Sequence, residues 1–170
     1  QMLNVVEGEN IRAAYTKYLG GVLPRRKAPF NIVWVKKLHK EMFGKVWVWA
    51  GEIRRRELNL GVASAQIEMQ LQQLMDDLGF WEQHKLPMQE QAAMLHHRAV
   101  SIHPFLNGNG RWARLLANIW LKLHQAPLTM WPEETIGGES IVRQEYLRAI
   151  RAADAGDYIL LIELHRRFTA

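Results

Sequence analysis

The sequence predicts an all-α protein with one small β element. Apolar residues recur at helical spacing through most of the chain, which indicates amphipathic helices. Glycine and proline separate these periodic stretches, as expected for the ends of helices. Only residues 52–62 combine polar and β-branched residues without that period, and they predict a short β-ribbon or an extended loop.

The first elements are two helices joined by a loop. Asn10 opens a predicted helix over 10–19, and Asn31 caps a second over 31–43. Residues 45–53 have the aromatic and β-branched content of a strand, but their period is ambiguous.

The second half of the chain is predicted to be helical throughout. Apolar positions and proline breaks predict helices at 65–80, 87–101, 109–124, 139–153 and 157–168. The helix over 109–124 has the strongest apolar stripe, made of Trp112, Leu115, Leu116, Ile119, Trp120 and Leu123.

Composition limits the class of protein. The 170 residues suffice for one domain, predicted over 1–170, and the absence of cysteine excludes disulfides and thiolate metal sites. No apolar run is long enough to span a membrane, so a cytoplasmic protein without a membrane partner is expected. The net charge of +5 permits a nucleic-acid partner. However, the short basic clusters Arg25–Lys27, Arg54–Arg56 and Arg166–Arg167 are interpreted as solvated surface, so such a partner is not favoured.

The stretch "SIHPFLNGNGRWAR" combines features of an anion site. Glycines at the start of a helix permit close approach of a ligand to the unpaired N–H groups of its first turn. Arg111 and Arg114 are three positions apart and share a helix face, which suits a polyphosphate. His103, just upstream, has the chemistry of a general base.

Two other interpretations of this region are weaker. Gly108, Gly110 and Ala113 fit the spacing of the dinucleotide fingerprint, but a helix and a loop precede them instead of a strand. A metal cluster of His96, His97 and His103 is disfavoured, because adjacent residues point to different sides of a helix.

"HPFLNGNGRWAR" resembles the core motif of the Fic (Fic/Doc) family, HPFx[D/E]GNGRxxR. Residues 38–54, 57–78 and 146–165 resemble further segments of that family, so the resemblance extends from about residue 10 to the end. The form HPF-x-NGNGR-x-AR is similar to the subgroup labelled mobile mystery protein B. The resemblance implies a Fic-like helical bundle with a β-hairpin flap, and transfer of AMP from ATP to a Ser, Thr or Tyr hydroxyl of a target protein.

The resemblance also implies residue roles. His103 would be the general base, Phe105 would be buried and fix the loop, Arg111 would hold a phosphate, and Arg114 would contact the γ-phosphate. The anion hole would be formed by Gly108, Asn109 and Gly110. The target would dock by strand pairing on a flap over 57–62, with Leu58, Asn59, Leu60 and Gly61 at its centre. A toxin-like role, a homodimer and an antitoxin-like partner are compatible with the family.

Two positions depart from the simplest family pattern. Asn107 stands where the family usually has Asp or Glu, which helps to hold Mg²⁺, and a neutral amide oxygen should bind that ion more weakly. Glu7-Gly8 resembles the inhibitory motif [S/T]xxxE[G/N], with Leu3 in place of Ser or Thr. This implies an inhibitory segment over 1–9 before a core over 10–168, with Glu7 paired to Arg114. The alternative is that Glu7 merely stabilises a helix N-terminus.

Two alternatives to AMP transfer remain open at this point. Asn107 is compatible with a non-catalytic regulator that binds a nucleotide or phosphate on the same fold. An enzyme of this family could also transfer another nucleoside monophosphate, a phosphate or a phosphocholine group.

Overall fold

Helices dominate the architecture, which confirms the predicted fold class. The computed structural model describes residues 2–132, 135 and 139–170. Within these ranges the α-helices are α1 (Met2–Leu19), α2 (Ile32–Phe43), α3 (Ile67–Gln83), α4 (Met88–Ile102), α5 (Asn109–Leu123), α6 (Ile141–Asp154) and α7 (Ile159–Arg167). Single 3₁₀ turns occur at Arg25–Lys27 and Ser64–Gln66.

The first helix is longer than predicted. Helix α1 begins at Met2 instead of Asn10, so the segment around Glu7 lies within it. Nothing between these positions stops a helix, because a glycine such as Gly8 costs only about 1 kcal/mol in a helix interior. Asn10 is buried and its amide donates to the Glu41 carbonyl at 2.8 Å, so it joins α1 to α2 instead of capping α1.

Of the two predictions for residues 52–62, the β-hairpin is wrong and a loop is found. Residues 44–63 form turns and an irregular loop without strands. The reason lies in the hydrogen-bond partners of this loop. The Arg54 N–H donates to the Pro104 carbonyl at 2.9 Å and the Val62 N–H to the Ile102 carbonyl at 3.4 Å. These bonds attach the loop to the end of α4 and the residues after it, so its two arms do not pair with each other.

Helix α5 is the centre of the fold. It packs on α4, α1 and α2, and its residues Trp112 and Trp120 are fully buried. Each indole N–H has a partner, since Trp112 donates to the Val35 carbonyl at 3.0 Å and Trp120 to the Gln91 side chain at 2.9 Å. These bonds satisfy the buried polar atoms and fix the orientation of α5.

A second, smaller apolar cluster joins α6 and α7 to α4, beside a buried polar chain. His96 contacts His165 through Nδ1 and Nε2 at 3.1 Å, and contacts the Tyr146 hydroxyl through its own Nε2 at 3.0 Å. His165 in turn contacts the Thr129 hydroxyl at 2.9 Å. Burial lowers the pKa of both histidines, that of His165 to about 3, so both are neutral at physiological pH.

His97 belongs to a separate network, since its Nε2 contacts Asp154 at 2.8 Å. The described residues contain no group of three or more His, Asp or Glu side chains placed to share a metal ion. Among the helices in these ranges, none combines the length and apolar character that crossing a bilayer requires.

Candidate active site

His103 lies at a sharp turn at the end of α4. Its backbone is left-handed, with φ 53° and ψ 61°, and its N–H donates to the Ala99 carbonyl at 3.2 Å. Pro104 prevents α4 from continuing. The side chain is half-buried, and burial lowers its pKa, with a smaller contribution from the nearby positive charge of Arg54. The imidazole is therefore neutral at physiological pH, as a general base must be.

The loop after His103 is fixed from inside. Phe105 is fully buried, as the resemblance implies, and its ring stacks on the His39 ring with a centroid distance of 3.7 Å. The Asn109 side chain accepts from the Phe105 N–H at 2.9 Å and donates to the Phe105 carbonyl at 2.8 Å. The amide of Asn109 is thus used within the loop, and only its backbone N–H remains to face an anion.

His39 is a site residue that the sequence analysis missed. Its Nδ1 accepts from the Gly51 N–H at 3.0 Å, so the proton is on Nε2, which donates to the Asn107 carbonyl at 2.9 Å. Burial lowers the pKa of His39 to about 4, which keeps this neutral form. The available signal was its position beside Leu38 on the apolar side of α2.

Gly108 allows the start of α5 to pack closely against aromatic side chains. Its φ is 79°, and a Cβ at this position would lie 2.6 Å from the Phe43 ring. In the part of the chain that the structure describes, no side chain caps α5, so the first-turn N–H groups of Asn109, Gly110 and Arg111 have no capping partner there. Such a helix start attracts an anion through its unpaired donors and the helix dipole.

The two arginines of α5 differ in their environment. Arg111 lies over the Phe43 ring at 4.8 Å and forms an ion pair with Glu7. Arg114 is only 6% exposed and its guanidinium lies over the Tyr146 ring at 5.5 Å. Its Nη1 is buried and has no hydrogen-bond partner among the described residues, so this arginine can bind an incoming anion.

The predicted pair between Glu7 and Arg114 is therefore wrong, because the partner of Glu7 is Arg111. Both arginines line a cavity with Tyr15 and Leu19 of α1, and the Arg114 guanidinium also lies over the Tyr146 ring of α6. Burial lowers the pKa of Arg111, and the neighbouring charge of Arg114 adds to that effect.

Asn107 is poorly suited to hold a metal ion. Its side-chain oxygen accepts from the Gly108 N–H at 2.7 Å, so it is turned onto the loop. None of the described residues lining the surrounding cavity is a carboxylate. Mg²⁺ is usually bound through at least one carboxylate, so the protein residues alone do not fit a magnesium site.

One cavity of about 530 Å³ brings most of the predicted site together. The residues that the sequence assigned to the site and that line this cavity are Leu60, His103, Asn107, Gly108, Asn109, Gly110, Arg111 and Arg114. From the predicted flap only Leu60 lines it, and that side chain is 67% exposed. Glu57 accepts from the Ser64 N–H at 2.9 Å and holds the base of the flap loop together. Leu58, Asn59 and Gly61 lie in this loop outside the cavity lining.

The model of the Fic/DOC family matches residues 29–121 of the 170. The chain belongs to the Fic/DOC family. This match includes α2, the flap loop and the whole stretch from His103 to Arg114, so the Fic core is the part of the fold that carries the site.

Similar proteins agree with this assignment. The chain is 29% identical over 167 residues to "Protein adenylyltransferase fic-1" of Caenorhabditis briggsae, and this covers 90% of the chain and 32% of that protein. The Caenorhabditis elegans protein of the same name matches equally. The chain thus spans about a third of the length of these relatives.

Solved structures show the same Fic fold. Fic-1 from C. elegans aligns with a TM-score of 0.78 and 26% identity, covering 94% of this chain and 46% of that one. BepC from Bartonella tribocorum, solved with bound AMPPNP, aligns with a TM-score of 0.72 and 20% identity, covering 99% and 87%. At that identity the second comparison concerns the fold alone.

Proposed function

We propose that this protein is an adenylyltransferase that moves AMP from ATP to a hydroxyl side chain of a target protein. The observation that carries the proposal is the uncapped start of α5, which opens into the cavity that His103 and Arg114 also line. The relatives named protein adenylyltransferases support the same activity.

His103 takes the proton of the target hydroxyl in this reaction. The hydroxyl oxygen forms a bond to the α-phosphorus of ATP while the bond from that phosphorus to the β-phosphate oxygen breaks, and pyrophosphate leaves. The N–H groups of Asn109 and Gly110 and the Arg111 guanidinium stabilise the phosphate charge. The unpartnered Nη1 of Arg114 serves the terminal phosphates.

The flap loop passes beside His103, where the target segment would bind, since a Cβ at Gly61 would lie 2.6 Å from the His103 Cβ. Leu60 connects this loop to the cavity, so a target bound along residues 57–61 would bring its hydroxyl towards the base. If the reaction needs Mg²⁺, the ion would be held mainly by the nucleotide phosphates and water, and it would supply neutralisation of phosphate charge. Asn107 contributes little to holding it.

Glu7 inhibits the enzyme in this proposal. Its carboxylate forms an ion pair with the Arg111 guanidinium, which is then less available to a nucleotide phosphate. The contact is a partly covered one, with a quarter or less of either side chain exposed, so solvent screens it only in part.

Intact-mass spectrometry after incubation with ATP and Mg²⁺ tests the proposal. The samples are the wild type, Glu7→Gly, and Glu7→Gly combined with His103→Ala. We expect a mass gain of one AMP that grows in Glu7→Gly and disappears without His103. Absence of an adduct on this chain and on proteins of a cell extract, in every sample, would contradict the transferase.

A non-catalytic nucleotide-binding regulator is the second candidate, and the geometry of Asn107 favours it. It predicts ATP binding that survives His103→Ala, without a covalent product. Calorimetric titration of both proteins with ATP separates this outcome from the transferase. Other nucleoside triphosphates in the mass assay establish which group is transferred.

A further inference from the structure

Arg54 joins the flap loop to the turn that holds His103. We propose that Arg54 is a positioning residue, which fixes the catalytic histidine and the target-docking loop relative to each other through one guanidinium group. This inference rests on the proposed function for the roles of His103 and the flap. The basic cluster Arg54–Arg56 was interpreted as solvated surface, but Arg54 is only 3% exposed.

The guanidinium contacts backbone from both segments. Arg54 Nε donates to the His103 carbonyl at 2.7 Å and Nη2 is 3.5 Å from the Ile102 carbonyl, both at the end of α4. Within the loop, Nη2 donates to the Val62 carbonyl at 2.6 Å and Nη1 to the Arg56 carbonyl at 3.0 Å. The planar fork of arginine makes such a set of bonds in fixed directions, which the single ammonium of lysine cannot do.

The surroundings of Arg54 show that its place is tightly defined. A Cβ at Gly61 would lie 2.6 Å from Arg54 Nη2 and 2.6 Å from the His103 Cβ, so the loop passes directly over both residues. Among the described residues Arg54 forms no ion pair with a carboxylate. Its charge instead faces carbonyl oxygens at the C-terminus of α4, where the helix dipole favours a cation.

The same charge acts on the His103 ring. Burial is the main reason that the pKa of His103 is lowered, and Arg54 adds to it because its positive charge disfavours the imidazolium form. The other titratable groups lining this cavity are Arg111, Arg114, Arg143 and Tyr146. They are unchanged in the variants below, so a difference in the pKa of His103 reports on Arg54.

NMR titration of the histidine ring signals tests the electrostatic part. The His103 signal is assigned by its loss in His103→Gln. We expect Arg54→Gln to raise the pKa of His103 towards its ordinary value, and Arg54→Lys, which keeps the charge, to leave it low. The matched control is Arg55→Gln, which removes an exposed charge one residue away. An equal pKa of His103 in Arg54→Gln and Arg55→Gln would overturn this part.

Hydrogen exchange measured by mass spectrometry tests the positioning part. Arg54→Lys should speed exchange in peptides covering 57–66 and at the end of α4, while peptides from α7 stay unchanged. Self-adenylylation should fall about a hundredfold in Arg54→Lys, since small misplacements of reacting groups have effects of that size. Wild-type protection and activity in Arg54→Lys would refute the role of the arginine fork.

These measurements separate the inference from the proposed function. The pKa of His103 and the exchange rates are measured without turnover, so an inactive wild type would contradict the transferase and leave the test of Arg54 intact. Where Arg54→Gln does not fold, as judged by circular dichroism, Arg54→Lys still decides the positioning role.

Discussion

At the scale of single residues, two anions compete for Arg111: the Glu7 carboxylate and the phosphates of a nucleotide. Its guanidinium lies over the Phe43 ring at 4.8 Å, which holds it near the start of α5 in either case. The competition is therefore for hydrogen bonds and charge, without a large movement of the side chain. This arrangement leads to a simple expectation for binding.

We expect Glu7→Gln to bind ATP about fivefold more tightly than the wild type, which corresponds to about 1 kcal/mol for a partly covered ion pair. The substitution removes the charge but keeps the shape and helix propensity of the side chain. Calorimetric titration measures the change. The control is Glu9→Gln on the exposed side of α1, and equal affinities in the two variants would contradict the inhibitory role.

Asn107→Asp should lower the Mg²⁺ concentration required for half-maximal self-adenylylation. A carboxylate beside the phosphate site supplies the hard, charged ligand that the cavity lacks. The measurement is a titration of the rate with Mg²⁺ at fixed ATP. Asn107→Ala is the control, because it removes the bond to the Gly108 N–H without adding charge. An unchanged Mg²⁺ requirement in Asn107→Asp would show that this position is remote from the ion.

The sequence singled out individual site residues only where they belong to a motif. His103 and Arg114 follow from one contiguous stretch, and the structure brings them to one cavity. His39 and Arg54 act on that stretch from distant positions through their contacts with backbone carbonyls. Backbone contacts carry no sequence pattern, so the apolar side of α2 indicated only that His39 is buried, and nothing distinguished Arg54 from the two arginines that follow it.

The loop between α4 and α5 is the element on which the site depends. Asn109 begins α5 but is bonded back to Phe105, so the helix and the loop form one closed unit. The left-handed backbone of His103 and Gly108 at either end of this unit turns the chain sharply. Glycine adopts this conformation readily, whereas at His103 it is strained and persists because the surrounding contacts hold it.

Asn109→Ala should reduce the free energy of unfolding by about 1–3 kcal/mol, because it leaves the buried Phe105 N–H and carbonyl without partners. Asn109→Asp should cost at least as much, since its carboxylate keeps the acceptor for the Phe105 N–H but places a buried charge against the Phe105 carbonyl oxygen. Urea denaturation followed by circular dichroism measures both variants. A loss in Asn109→Ala no greater than that of the exposed Asn59→Ala would contradict this account.

Helices were the elements that the sequence defined best. Apolar periodicity located α2 to α7 to within a few residues, because burial of one face determines where such helices can lie. The flap was mistaken for a hairpin because a strand-like composition does not specify its partner. The backbone that it pairs with lies near Ile102 and Pro104, and α3 and most of α4 separate these residues from the flap in the sequence.

Buried neutral histidines set the pH response of the whole molecule. Burial lowers the pKa of His39 to about 4 and that of His165 to about 3, both well below the ordinary value of 6.5. The unfolded chain therefore takes up protons below pH 6.5 that the folded protein excludes. Their contribution to stability is complete above that pH and is lost as the pH falls towards 4.

We expect the free energy of unfolding to fall between pH 6.5 and pH 4 by about 1.4 kcal/mol per pH unit for each such histidine. Urea midpoints at pH 7 and pH 5 measure the slope. His39→Gln should reduce the pH dependence, even if it also lowers stability at pH 7. The exposed His84→Gln is the control, and equal slopes in both variants would contradict this assignment.

The ion pair between α1 and α5 also has a consequence for metabolism. A carboxylate tethered in the same chain competes with the same strength at any protein concentration, so dilution does not relieve it. The nucleotide concentration at which half of the molecules are occupied is therefore raised. The factor is the inverse of the fraction of molecules in which Arg111 is free of Glu7. Under the proposed function, the ion pair therefore makes the activity of the enzyme depend on the cellular ATP concentration. Activity rises when ATP is abundant and falls when ATP is scarce.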